Sequence, residues 1–244
     1  VRSDGTRASN SNTQGGKGRI QDLFFGSADL NTLCLTDGEN GDALFADDVY
    51  TDSPENMAED MARLFRIREI FAGAGDDIVD MTSQRFEYVG DGLTIKGGDG
   101  SDGLWANKGD NLLFGDAGND RIIGADGNDV IVGGIGNDRM HGGGDDIFTF
   151  CEEWGADTVE QLADGSVTLW FVSGSEENWN AETLTYTDGG NSVNVSGVAA
   201  DAVTLKFGYD YSDLFLDLDD IGAFDDFTSE RIFEDKIGGT LAVL

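Results

Sequence analysis

Across 97–149 the apolar positions recur every nine residues. Leu104, Leu113, Ile122, Ile131, Met140 and Phe148 mark them, and between them run turns of glycine, aspartate and asparagine. A helix repeats its apolar face every three to four residues and a half-buried strand every two, so a nine-residue period belongs to neither. It is the mark of a stacked repeat. The copies begin at Gly97, Ala106, Gly115, Gly124, Gly133 and Gly142, and the fullest read GDAGNDRII, GADGNDVIV and GGIGNDRMH. The last, GGGDDIFT, is one residue short. An isolated earlier copy, AGAGDDIVD, occupies 72–80, and in the gap 81–96 only Ile95 keeps the apolar position.

Six residues of each copy predict a turn and three predict a short strand whose middle side chain points inward. One copy alone cannot bury that side chain; a neighbour stacked on it can. Successive turns fall on alternate sides, so the expected fold is mainly β: a parallel β-roll over 72–150. Around it the pattern changes. Residues 1–19 are polar and aperiodic and read as a linker or disordered arm. Within 20–71, clusters at Leu23/Phe24/Phe25, Leu30/Leu33/Leu35 and Leu44/Phe45/Val49 predict short strands. Ser53-Pro54 then opens a helix through about Arg66, with Met57, Met61, Leu64 and Phe65 on one face. This segment is expected to form an N-terminal α/β cap, as an open solenoid end requires. In 151–208 period two takes over, at 167–172, 184–186, 193–195 and 203–207, with a hairpin signal at Asp188-Gly189-Gly190-Asn191. That predicts a C-terminal antiparallel β cap. Residues 209–244 form an acidic, aromatic tail.

Position six of the copies carries the chemistry. It reads Asp102, Asn111, Asp120, Asp129, Asp138 and Asp146, with Asp77 in the isolated copy. Carboxylates stacked a few ångströms apart disfavour joint ionisation, so a cation must lie between them. Because turns alternate sides, Asp102 pairs with Asp120, Asp120 with Asp138, and Asp129 with Asp146. Asn111 with Asp129 makes a weaker site, since an amide lacks formal charge. Calcium suits such a column: it takes six to eight hard oxygens, including backbone carbonyls exposed by glycine turns. Gly98, Gly100, Gly109, Gly118, Gly127, Gly136 and Gly144 are the turn glycines assigned to these sites. A flexible Gly/Asp linker has no reason to keep an apolar residue at every ninth position. The acidic stretch 37–48 lacks the ligand alternation and central glycine of an EF-hand loop and reads as a solvated turn.

These motifs resemble the repeats-in-toxin (RTX) family, the hemolysin-type calcium-binding repeats of proteins exported by bacterial type I secretion. The resemblance spans 97–149 and extends to 72–80. It implies a calcium-stacked roll that folds outside the cell, in a secreted or surface-attached protein. It implies no particular activity.

Composition narrows the remainder. A net charge of −33 argues against nucleic acid and anionic membranes as partners and favours bound cations. No apolar run approaches a membrane span of roughly 18 residues. Cys34 and Cys151 match no zinc spacing and are expected either as buried thiols or as a disulfide. The chain lacks an initiator methionine and a signal sequence and reads as the C-terminal region of a longer protein; its end, GGTLAVL, is similar to an uncleaved type I secretion signal. Outward positions of copies two, four and six are Leu112/Phe114, Val130/Val132 and Ile147/Thr149, an apolar face that must be covered by this chain or by a partner. Trp154, Trp170 and Trp179 are expected as core and rim aromatics rather than a sugar platform. His141 is the single histidine, so no H-E-x-x-H site exists, and Ser101 lacks the first glycine of a nucleophile elbow. The expectation is a non-enzymatic, monomeric calcium-binding module. Its alternatives are an adhesive module facing a cell-surface or matrix component through Trp105, Ile123 and the cap tryptophans, and the tail of a secreted hydrolase.

Overall fold

A computed structural model describes residues 24–25, 32–35, 41–46, 49–50, 61–62, 64–65, 67–83, 92–151 and 153–208. The arm at 1–19, the tail at 209–244 and the first part of the expected helix, 53–60, lie outside these residues.

Two parallel sheets face each other across one core. Sheet one runs in the order Thr32–Cys34, Glu69–Ala74, Thr94–Asp99, Leu112–Ala117, Val130–Ile135, Asp146–Phe150, Val167–Phe171 and Val203–Phe207. Sheet two begins with Ala43–Phe45, Ile78–Asp80, Gly103–Trp105, Arg121–Ile123, Arg139–Gly142, Ala156–Gln161 and Asn191–Ser196. The chain crosses from one sheet to the other at every turn, which is the winding of a β-roll. Leu112 pairs with Thr94 on one side and Val130 on the other, and Arg121 pairs with Gly103 and Arg139, so one full coil is 18 residues, two copies of the repeat.

The register aligns the inward positions into two apolar ladders. In sheet one Leu33, Ile70, Ile95, Leu113, Ile131, Phe148, Leu169 and Leu205 are successive partners. In sheet two Leu44, Val79, Leu104, Ile122, Met140, Val159 and Val195 are. Every member from Ile70 to Leu169 and from Val79 to Val159 is fully buried. Each contributes about 1.5–3 kcal/mol on leaving water, and only because a neighbour is stacked on it. The gap 81–96 does not interrupt either ladder: Glu69 pairs with Thr94 and Ile78 with Gly103.

The ends depart from expectation. Beyond Thr149 the parallel stack continues: Val167–Phe171 pairs parallel with Asp146–Phe150, Val203–Phe207 with Val167–Phe171, and Ala156–Gln161 with both Arg139–Gly142 and Asn191–Ser196. Antiparallel pairing is confined to a meander of Trp179–Asn180, Thr185–Asp188 and Asn191–Ser196, turned at Gly189-Gly190 where the hairpin is expected. Alternation shows that one face of a strand is buried; it does not show which way the neighbour runs. At the other end, Met61–Ala62 and Leu64–Phe65 are short strands paired with Val49–Tyr50 and Phe24–Phe25, so the expected helix is absent over those residues. Among the described residues only the 3-10 turns Glu176–Asn178 and Ala200–Ala202 are helical.

The apolar outer face of sheet one is buried by the chain itself: Leu112, Phe114, Val130, Ile147 and Thr149 are at most 8% exposed. Trp154 and Trp170 are also buried, and Trp179 packs partly buried against the core. Trp170 donates from Nε1 to the Gly208 carbonyl at 2.9 Å. Cys34 is exposed, Cys151 is half-buried, and they form no disulfide, so the expected thiol state holds and the expected burial does not. His141 lies on the outer face of sheet two with Nδ1 3.2 Å from the Glu160 carboxylate.

Candidate metal centre

Turns from sheet one to sheet two stack along one edge of the roll and return turns along the other. On the first edge the position-six side chains form a continuous hydrogen-bonded ladder. Asp77 N–H donates to Asp102 Oδ1 at 2.7 Å, Asp102 N–H to Asp120 Oδ1 at 2.7 Å, and Asp120 N–H to Asp138 Oδ1 at 2.8 Å. The ladder extends at both ends to residues the nonapeptide pattern did not pick out. Asp138 N–H donates to Asp157 Oδ1 at 2.8 Å, and Asp42 N–H to Asp77 Oδ1 at 2.5 Å. On the second edge Leu93 N–H donates to Asn111 Oδ1 (2.9 Å), Asn111 N–H to Asp129 Oδ1 (2.8 Å) and Asp129 N–H to Asp146 Oδ1 (2.9 Å).

The register places Asp102 beside Asp120, Asp120 beside Asp138, and Asp129 beside Asp146. One oxygen of each carboxylate is thereby used. The other, Oδ2, is buried without a hydrogen-bond partner in Asp77, Asp102, Asp120, Asp129, Asp138, Asp146 and Asp157. A buried acceptor left unsatisfied costs about 1–3 kcal/mol, more when charged. Seven of them line two columns, an arrangement that a cation would satisfy.

The turn backbone shapes the space these oxygens face. A side-chain carbon placed on Gly97 would fall on Asp102 Oδ2 and the Gly115 carbonyl oxygen, and one on Gly115 would fall on Asp120 Oδ2 and the Gly133 carbonyl oxygen. Gly97 and Gly115 are therefore cradles between their own copy's carboxylate and the carbonyl of the next coil on that edge, and the leading glycines Gly124, Gly133 and Gly142 likewise lie against their own aspartate's Oδ2. Position four, at Gly100, Gly109, Gly118, Gly127 and Gly136, holds φ from +135° to +153°, where only glycine is comfortable. A Cβ on Gly136 would also strike the Gly118 carbonyl. Gly98 shares the positive-φ backbone at position two, and Gly144 stacks on Gly127.

Asn111 solves the same geometry differently. Its Nδ2 donates to the carbonyls of Asn107 (3.0 Å) and Gly109 (2.6 Å) and to Asp129 Oδ1 (2.9 Å). The amide puts its own donors among oxygens that elsewhere face a carboxylate.

Electrostatics agree with the geometry. Burial, opposed by the backbone N–H bonds and reinforced by neighbouring carboxylates, pushes Asp129 and Asp157 up to about 8 and Asp120 to about 7. Burial likewise raises Asp102, Asp138 and Asp146 to about 6, and Asp77 is raised by the same cause. Without a cation these groups release their protons less readily than ordinary aspartates. Among the described residues no three His, Cys, Asp or Glu side chains converge on one point. The donor set is hard oxygen only, paired carboxylates with backbone carbonyls, which fits calcium and not a soft-ligand metal. Where the ion binds, it supplies the charge that lets stacked aspartates remain ionised.

Position five adds a second ladder that the pattern did not suggest. Asn119 Oδ1 accepts from Asn137 N–H and Asn137 Oδ1 from Ala156 N–H, both at 2.9 Å. This gives the recurrent Gly-Asn-Asp its physical reason: asparagine ties the outer rim of one turn to the next, and aspartate ties the inner rim.

A family model of the RTX calcium-binding nonapeptide repeat matches residues 94–122 and 114–146. That stretch of the chain therefore consists of RTX repeats, which bind Ca2+. No curated protein matches the chain.

Proposed function

We propose that this chain, a calcium-binding β-roll built on RTX repeats, is a structural module of a secreted or surface-attached bacterial protein, and that extracellular calcium switches on its folding. One observation carries the reading: seven buried aspartates direct an unsatisfied oxygen into two columns. At low cytosolic calcium these oxygens have no counter-charge, and the roll is disfavoured. Outside, millimolar calcium exceeds the roughly 10⁻⁴–10⁻³ M dissociation constants of extracellular modules, and binding to the folded state alone draws the chain into it. Export as a flexible chain followed by folding on arrival is the consequence. The position-six aspartates are committed to the ladder, so the columns they line are structural. No helix among the described residues is long and apolar enough to cross a membrane.

The test is far-UV circular dichroism of the full chain during calcium titration, with magnesium and a chelator as controls. A cooperative gain of β signal with calcium and none with magnesium is expected. A fully formed β spectrum in chelator would sink the proposal.

A second reading, recognition of a surface component, draws on the outer face of sheet two. Phe45 and Ile78 are 39% and 40% exposed there, beside the half-buried Trp105 with Arg121 over its ring at 5.8 Å. A glycan-array or cell-surface binding screen on calcium-loaded protein separates this from a purely structural role.

A further inference from the structure

We propose that the strand Ala156–Gln161, which lies beyond the recognisable repeats, closes both calcium columns: Asp157 supplies the last carboxylate on the first edge, and Gln161 Oε1 supplies the last neutral oxygen on the second. The proposal rests on reading the columns as calcium sites. It assigns two ligands that the nonapeptide pattern does not contain.

Asp157 is placed by a turn that has kept the repeat's backbone after losing most of its sequence. Glu153 takes a left-handed φ of 62° and Gly155 a φ of 90°, as positions two and four do in the repeats. A Cβ on Gly155 would meet the Gly136 carbonyl, as one on Gly136 would meet that of Gly118. Asp157 is 1% exposed; its Oδ1 accepts the Asp138 N–H at 2.8 Å, and its Oδ2 is buried and unpartnered. In the next coil the register sets Val193 beside Asp157, so the column of acids ends here.

On the second edge the acids end one step earlier. Val167 stands beside Asp146, whose own N–H turns to the Ser166 carbonyl at 3.0 Å. Gln161 pairs with Gly142, the position that a leading glycine would hold in a further coil. Around Gly97 and Gly115 the cradle comprises the carboxylate Oδ2 and the carbonyl oxygen of the next leading glycine. Around Gly142 it comprises Asp146 Oδ2 and, 3.0 Å from the Cβ point, Gln161 Oε1. A side-chain amide oxygen thus stands where the first edge has a backbone carbonyl. Gln161 is 5% exposed, its Nε2 donates to the Gly144 carbonyl at 2.7 Å, and its Oε1 has no partner. Two unsatisfied oxygens from different strands thus face one point, the arrangement a calcium ion of about 2.3–2.6 Å bond length joins.

The experiment is calcium bound per full chain at saturation, by equilibrium dialysis, with circular dichroism on the same samples. Asp157→Asn is expected to remain folded, because the ladder accommodates an amide at Asn111, and to bind one ion fewer. Gln161→Leu is expected to lose one ion or to weaken it beyond detection. Gln161→Glu discriminates between roles: a ligand oxygen that gains charge tightens the weakest ion on the order of tenfold, whereas a side chain needed only to donate to Gly144 loosens it. Unchanged stoichiometry in both Asp157→Asn and Gln161→Leu, with Asp120→Asn lowering it, overturns the proposal and leaves the calcium reading intact. Weakening by Gln161→Glu, or an Asp157→Asn chain that fails to fold in saturating calcium, overturns the corresponding half. A parent chain that binds no calcium overturns both readings.

Discussion

The coils of 94–146 and those of 167–207 share one winding and one register, yet they are held at their corners by different forces. In the repeats every corner but that of Asn111 carries a buried aspartate in the ladder, and the inward column is Leu, Ile and Met. In the later coils Val167 and Val193 occupy the aspartate positions and the interior turns aromatic. Phe171 stacks on Tyr186 at 3.7 Å between ring centroids, on Phe150 at 5.0 Å and on Phe207 at 5.7 Å, with Trp154 tilted beside it. Tyr186 reaches this cluster from the antiparallel meander, fully buried, its hydroxyl accepting from the Ser175 N–H at 3.2 Å. A stacked coil needs its corner charges neutralised or removed. The repeats require neutralisation from outside, whereas beyond Asp157 the corners carry valine in place of the acid and the core is closed with rings.

The comparison breaks most sharply under chelation. Calcium removal is expected to abolish amide-exchange protection across 94–146 and to leave residual protection across 167–207; equal loss in both would show that the aromatic end has no stability of its own. Acid follows. The ladder aspartates have raised values in the fold, so the metal-free roll binds protons that the unfolded chain sheds above about pH 4. Their stabilisation is fully present below that pH and is lost as pH rises through about 6 to 8. Metal-free protein should therefore show more β signal at pH 4–5 than at pH 8, and its calcium midpoint should fall with rising pH. Phe171→Ala is expected to cost about 3–5 kcal/mol by denaturant unfolding in saturating calcium, without moving the calcium midpoint of the repeats. Smallest is Asn111→Asp. It removes the donor that serves Asn107 and Gly109 and buries another acid, so the calcium-free state should lose about 1–3 kcal/mol while the loaded protein gains a binding step in dialysis.

Period nine was legible because six consecutive copies preserve it, and with it came the two-sided winding, the inward ladder and the alternation of position six between edges. The C-terminal coils were hidden by spacing. Asp146 meets Val167 after 21 residues and Val167 meets Val203 after 36, so no fixed period links them. Asp157 was hidden because 151–154 reads Cys-Glu-Glu-Trp where a copy would open with glycines, and only Gly155-Ala156-Asp157 survives. Gln161 carries no local signal at all; its role depends on Gly142, which lies beside it only in the folded register. The helical spacing of Met61, Leu64 and Phe65 was overridden by pairing with strands at 24–25 and 49–50, a contest between local propensity and tertiary partners that sequence alone does not decide.

The long sequence separation between Asp80 and Thr94, and the meander between Val167–Phe171 and Asn191–Ser196, carry a consequence for how such a molecule grows. The roll keeps phase, not length. A strand finds its place by matching the inward side chain of the coil beneath it, whatever distance the chain has travelled in between. Passenger segments spliced into these corners leave the ladders intact, while deletion of a single residue from within a strand turns its inward side chain to the outside. The scaffold is a chassis: rigid in its rungs and indifferent to cargo at its bends.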